Sequence, residues 1–202
     1  MRHFKQLLAG ILLILPTTLF AAAKVDTPAP DFSLVNTKGE QVNLSDYKGK
    51  YVILEWTNHL CPYVQKHYDS DNMQTLQRKY TGQDVVWLSI ISSAEGKQGY
   101  VTPSEADELT TSRNAAPSQV LFDESGDVGK LYGAKTTPHM YIITPDGMLR
   151  YAGAIDSIKS AKQADIGKAE NYLDVGMQSL MAGQSVAKKV TPPYGCSVKY
   201  KS

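Results

Sequence analysis

The sequence has only two cysteines in 202 residues, Cys61 and Cys196. So few thiols exclude a disulfide-dense scaffold, because at most one intramolecular bridge can form. Charge of either sign is also scarce: Lys and Arg number 21, Asp and Glu 20, and the formal net charge is +1. With neither a basic patch nor a charge run, nothing points to a nucleic-acid partner or an acidic substrate. No strand leads into a glycine-rich phosphate loop, so no organic cofactor is implied. After residue 23 no apolar stretch is long enough to span a bilayer.

The apolar run that does exist is at the start. Arg2, His3 and Lys5 precede LLAGILLILPTTLFAAA. A basic start, a short apolar middle and a small-residue end read as a secretory signal over residues 1–23, with an uncleaved anchor as the alternative. The mature domain is then 24–202, exported to an oxidising space, with a periplasm as the expected location and no stable membrane insertion after cleavage. At 42% hydrophobic and 20% charged, the chain has the composition of one globular domain with its own core.

The pattern along the domain is mixed. FSLV and QVNL flank NTKGE as a hairpin. YVILEW and DVVWLSIIS are short apolar, β-branched runs of the kind buried in a central sheet. Between them, residues 62–80 read as helix, interrupted near DSDN at 69–72, where helix formers are poor. Thr102-Pro103-Ser104-Glu105 predicts a capped helix start. SQVLFD is a third strand, GDVGKLYGA a short helix, and HMYIIT-PDG-MLRYAG a second hairpin. A polar insertion covers 156–168, and AENYLDVGMQSLMAG is an amphipathic helix. The order predicts an α/β fold, a central mixed sheet with helices on both faces.

Right-handed crossovers place Cys61 at the carboxyl end of YVILEW, where Pro62 would open the helix and Cys61 would be its N-cap. Helix amides and the positive dipole end favour a thiolate there, the form that attacks disulfides and peroxides. His59, Lys66 and His67 could add positive charge. The plainer reading, preferred for Lys66, is that these side chains are solvated.

The strand–Cys-Pro–helix unit, with APDFSL, GEQVNLSDYKGKYVILEW, LCPYV and TTPHMYIITPDGMLRYAG, resembles the thioredoxin-fold superfamily. The resemblance is to its redoxin branch, the alkyl hydroperoxide reductase and thiol-specific antioxidant proteins. It implies a thioredoxin-like fold with an N-terminal hairpin extension and a cis Thr137-Pro138 bond beside the site. It also implies a groove of Pro62, Thr137 and Pro138 for a partner backbone. The departures are specific. Val64 stands where C-x-x-C proteins have the local resolving cysteine. Asn58 stands where peroxiredoxins have threonine, and no arginine occupies their peroxide-activating place. Thr57 replaces the first cysteine of the copper-delivery motif.

Cys196 follows TPPYG in the tail. It reads as a distal resolving thiol for Cys61, as half of a permanent staple, or as an unpaired thiol. Trp56 and Trp87 read as core. Glu55 is either a proton relay for Cys61 or a structural carboxylate, and His139 and Met140 alternate toward and away from the site. The expected function is an exported thiol–disulfide oxidoreductase acting through Cys61 and Cys196 on protein thiols or disulfides. The alternatives are a thiol peroxidase acting on a small peroxide and a non-enzymatic module or copper carrier. No metal site is assigned.

Overall fold

The computed structural model describes residues 22–201; residues 1–21 of the expected leader lie outside them. Seven strands form the main sheet in the order β2-β1-β5-β4-β3-β7-β8. They are β1 (Ser33–Asn36), β2 (Gln41–Asn43), β3 (Val52–Trp56), β4 (Val86–Ile91), β5 (Gln119–Phe122), β7 (His139–Ile143) and β8 (Leu149–Gly153). The centre is parallel, β3 with β4 and β4 with β5, while β7 and β1 run antiparallel to their neighbours. The sheet is therefore mixed, as expected. The N-terminal hairpin is its edge rather than a separate appendage, because β1 pairs with β5.

β3 and β4 are buried along their whole length, which is why their sequences run apolar instead of alternating. Along β3, Val52, Leu54 and Trp56 enter one core cluster, and Ile53 enters the other. On the Ile53 face lie helices α1 (Pro62–Tyr68), α2 (Asn72–Thr81) and α5 (Tyr172–Met181). On the Trp56 face lies α4 (Asp127–Tyr132), whose Tyr132 packs against Trp56 and Tyr141. α3 (Pro103–Ser112) begins at the Thr102 capping box, with Glu105 Oε2 accepting the Thr102 amide at 2.7 Å.

The break between α1 and α2 falls where the sequence placed it. Asp71 takes a left-handed φ of 58° there, a conformation aspartate tolerates better than most residues. A second small sheet pairs β6 (Thr136–Thr137) with β9 (Cys196–Ser197) in the tail. The polar insertion holds only a 3-10 turn at Gln163–Lys168. Among the described residues, no helix is long and apolar enough to cross a membrane.

Candidate active site

Cys61 caps α1 with extended backbone, and exposed Pro62 is the first helical residue. Cys61 itself is completely buried. What covers it is the tail. β9 aligns Cys196 opposite Thr137, and the Cys196 amide lies 3.4 Å from Cys61 Sγ, to which it donates. On the same side the Cys61 thiol donates to the Thr137 carbonyl at 3.1 Å. The Thr137-Pro138 bond is cis. Gly195 makes the close approach of the tail possible, since a Cβ on it would sit 2.0 Å from the Thr137 oxygen. Both sulfurs are free thiols.

Burial pushes the Cys61 thiol up. Hydrogen bonds to the sulfur, led by those from the Cys196 thiol and amide, outweigh burial and hold it below the ordinary value. The Val64 amide contributes less, being bonded to the Cys61 carbonyl at 2.9 Å. The sulfur is thus activated mainly from the tail, where the sequence pointed to the helix. The buried Thr137 hydroxyl makes no hydrogen bond of its own and helps least. Cys196 moves the opposite way: its burial, then its bond to Cys61 and the Cys61 charge, push it up to about 11. The two thiols differ sharply in acidity, the division of labour an exchange pair needs, because only the thiolate attacks.

The other sequence candidates sort differently. Glu55 is wholly buried on the Cys61 face of β3, but its bonds are to other side chains. Its Oε2 accepts Trp87 Nε1 at 2.8 Å and Ser89 Oγ at 3.0 Å, and its Oε1 accepts the Tyr68 hydroxyl at 2.9 Å. Burial outweighs these bonds and raises its carboxyl. Asn58 is a loop pin. Its Oδ1 accepts the Leu60 amide at 2.9 Å, its Nδ2 donates to the Gln98 carbonyl at 3.1 Å, and Gly99 packs against it. His59 is half-buried, which lowers its imidazole, and the Arg113 charge lowers it further. Met140 joins the Cys61 cluster. His139 turns away and meets the Tyr141 hydroxyl at 3.1 Å and the Lys135 amide at 3.3 Å.

Lys66 corrects the sequence reading. It is not solvated; it is buried and pairs with Asp156 at 3.0 Å. His67 is buried too. A charged side chain can turn inward here because the insertion after β8 brings a carboxylate to meet it, and no local pattern shows that. Sequence reading also missed Arg113, which donates to the His59 carbonyl at 3.2 Å and lies over the Tyr68 ring at 5.1 Å. It missed Tyr194, whose only signal was its place in PPYG.

Residues 25–152 match the model of a protein family described as AhpC/TSA. The chain belongs to the AhpC/TSA family. The match ends before the tail that carries Cys196. Among relatives, the thiol-disulfide oxidoreductase ResA of Geobacillus kaustophilus is 29% identical over 139 residues, covering 62% of this chain and 80% of that one. An uncharacterised conserved protein of the same species has a solved structure with TM-score 0.77 at 25% identity. It covers 94% of this family member and 98% of that chain. A putative thiol:disulfide interchange protein DsbE from Chlorobium tepidum superposes with TM-score 0.51 at 26% identity, over 65% and 85% of the two chains. The fold is thioredoxin-like, as the resemblance implied.

Proposed function

We propose that this AhpC/TSA member is an exported thiol–disulfide oxidoreductase whose exchange couple is Cys61 and Cys196. The observation that carries the reading is the Cys196 amide on the Cys61 sulfur at 3.4 Å, with a low thiol and a high thiol side by side. The names of the ResA and DsbE relatives support the same chemistry. Export rests on the leader pattern of residues 1–23, and a periplasm remains the location that fits it. Residues 24–202 form the working domain.

In the reducing direction the Cys61 thiolate attacks one sulfur of a partner disulfide. The partner's S–S bond breaks, its second sulfur leaves as a thiolate and takes up a proton, and Cys61 is held in a mixed disulfide. Cys196 loses its proton and attacks Cys61 Sγ. The Cys61–Cys196 bond forms, the partner's other thiolate leaves, and two electrons have passed to the partner. The oxidising direction is the reverse. Because Cys61 is buried beneath Tyr194–Cys196, the tail must lift for a partner to reach it. Thr137 and Pro138 then flank the opened groove, with Pro62 at its rim.

Peroxide reduction has less support. Among the described residues, the Arg113 guanidinium donates to the His59 carbonyl, and no arginine donates to the sulfur.

The test is to equilibrate the protein in glutathione buffers of graded ratio and follow both cysteines by mass spectrometry. A Cys61–Cys196 bond that forms and reduces reversibly, at a potential above the range below about −300 mV of structural disulfides, is expected. A bond that never forms, or one that never reduces, refutes the proposal.

A further inference from the structure

One helical turn beyond the site lies a buried ionic cluster that the exchange chemistry does not use. The side chains of Lys66 and Asp156 are 0% and 3% exposed. Lys66 Nζ is 3.0 Å from Asp156 Oδ2 and donates at 3.5 Å to both the Ile158 carbonyl and the Tyr194 hydroxyl. Asp156 Oδ1 accepts the Ile158 amide at 3.0 Å and also the Tyr194 hydroxyl. Three segments far apart in sequence thus converge on one carboxylate: α1, the stretch after β8, and the tail. The Tyr194 ring is buried and meets Tyr63 edge-on at 5.8 Å.

Cys196 comes two residues after Tyr194. Beyond it the tail is held again. Val198 donates its amide to the Lys135 carbonyl at 3.1 Å, and the Tyr200 hydroxyl donates to the Ala134 carbonyl at 2.7 Å. The Tyr200 ring fills a socket that glycine leaves open, since a Cβ on Gly126 or Gly129 would meet it at 2.4 Å. Cys196 is therefore suspended between two tyrosine anchors, and only the first gives its hydroxyl to a carboxylate; the Tyr200 hydroxyl goes to a neutral carbonyl, with Lys130 over its ring.

That difference matters energetically. A buried ion pair by itself gains little, because desolvation offsets the attraction. Its carboxylate needs every available donor, and a hydrogen bond to an ionised group is about twice as strong as a neutral one. When the tail lifts, Asp156 loses the Tyr194 donor in an interior with little water to replace it. The pair therefore favours a seated tail.

We infer that the Lys66–Asp156 pair and Tyr194 form a latch that seats the tail over the site, with Tyr194 a positioning residue that sets Cys196 against the Cys61 sulfur. The inference deepens the exchange reading and rests on it. With the latch closed, Cys61 is covered and receives the Cys196 donors. With it open, Cys61 gains solvent and loses them.

The test uses the full chain with Tyr194→Phe, which keeps the packed ring and removes the hydroxyl. Cys61 alkylation by iodoacetamide is followed by peptide mass spectrometry across pH. Tyr51→Phe serves as the control, since it removes a hydroxyl bond to the Leu180 carbonyl away from the tail. In Tyr194→Phe the plateau rate at high pH should rise at least about tenfold, the scale of one hydrogen bond to a charged group. The midpoint should move up toward the ordinary thiol value of about 8.5. Glutathione should also reduce the Cys61–Cys196 bond at least about tenfold more readily. A Tyr194→Phe profile superimposable on that of the unmodified chain overturns the latch, and so does a Tyr51→Phe profile shifted as far. Failure of the exchange reading shows elsewhere, as an unmodified chain that forms no bond in oxidised glutathione. The alkylation profile still decides the latch in that case.

Discussion

Gly195→Ala tests whether the tail is what activates Cys61. The φ of Gly195 is +141°, and a Cβ there would lie 2.0 Å from the Thr137 oxygen and 2.7 Å from its carbonyl carbon. Both atoms are backbone, so neither can rotate out of the way. Ordinary contact begins near 3.4 Å, so the tail must withdraw by about 1.4 Å at this point. The Cys196 amide is next in the chain, at 3.4 Å from Cys61 Sγ. The same withdrawal carries it to as much as about 4.8 Å, beyond hydrogen-bond reach. The alternative is to keep the contact under backbone strain of about 1–3 kcal/mol. Either way the seated state loses at least about a factor of five against the lifted one. The assay is iodoacetamide alkylation of Cys61 between pH 5 and 10, with a melting curve beside it. The expected result is a faster plateau, a midpoint raised toward that of an ordinary thiol, and only a small drop in melting temperature, because the sheet core is untouched. A Cys61 with unchanged rate and midpoint would refute the account of tail activation.

Three further outcomes follow from the buried groups. Burial lowers the His67 imidazole to about 4, with the Lys66 charge adding to the effect and the Asp156 charge opposing it; its stabilisation is full above its ordinary value near 6.5 and fades as pH falls toward 4. Urea titrations at pH 7 and pH 4.5 should therefore show an acid loss of roughly 2 kcal/mol, much of it abolished by His67→Gln; an equal loss in the variant would contradict the assignment. Glu55 has the opposite sign, since burial raises its carboxyl: its stabilisation is full below the ordinary carboxylate range and is lost as pH rises through the raised value. Glu55→Gln should gain in melting temperature relative to the unmodified chain from pH 4.5 upward, and a constant difference across pH would count against it. Lys66→Met leaves Asp156 without its cation in the interior and should cost about 3–5 kcal/mol in chemical denaturation, whereas an exposed lysine would cost almost nothing.

Much of the fold could be read from local pattern. Whole-strand burial made VILEW and VWLSII recognisable, the Thr102–Glu105 box marked the start of α3, and Asp71 marked the break after α1. Cys61 and its helix-capping place were also visible, because Cys-Pro after an apolar strand is a local signal. The rest depends on contacts between distant segments. Lys66 looks like a surface lysine until Asp156 arrives from 90 residues away. Asn58 stands in the place of the peroxiredoxin threonine, but its amide goes to the Gln98 carbonyl. The two-residue strand at Cys196–Ser197 is too short to carry any periodicity.

The pairing of Thr137 with Cys196 has a consequence for the making of the protein. Cys61 and the amide that serves it are 135 residues apart, so a growing chain exposes its reactive sulfur long before the segment that covers it exists. A chain clipped between Asp156 and Cys196 is left in the same condition. If Cys61 attacks as proposed, such a chain is open to capture by any disulfide it meets and has no second sulfur to free itself. On the proposed exchange chemistry, the Tyr194–Cys196 segment therefore acts as a seal: only a chain that carries it is both protected from stray capture and able to turn over.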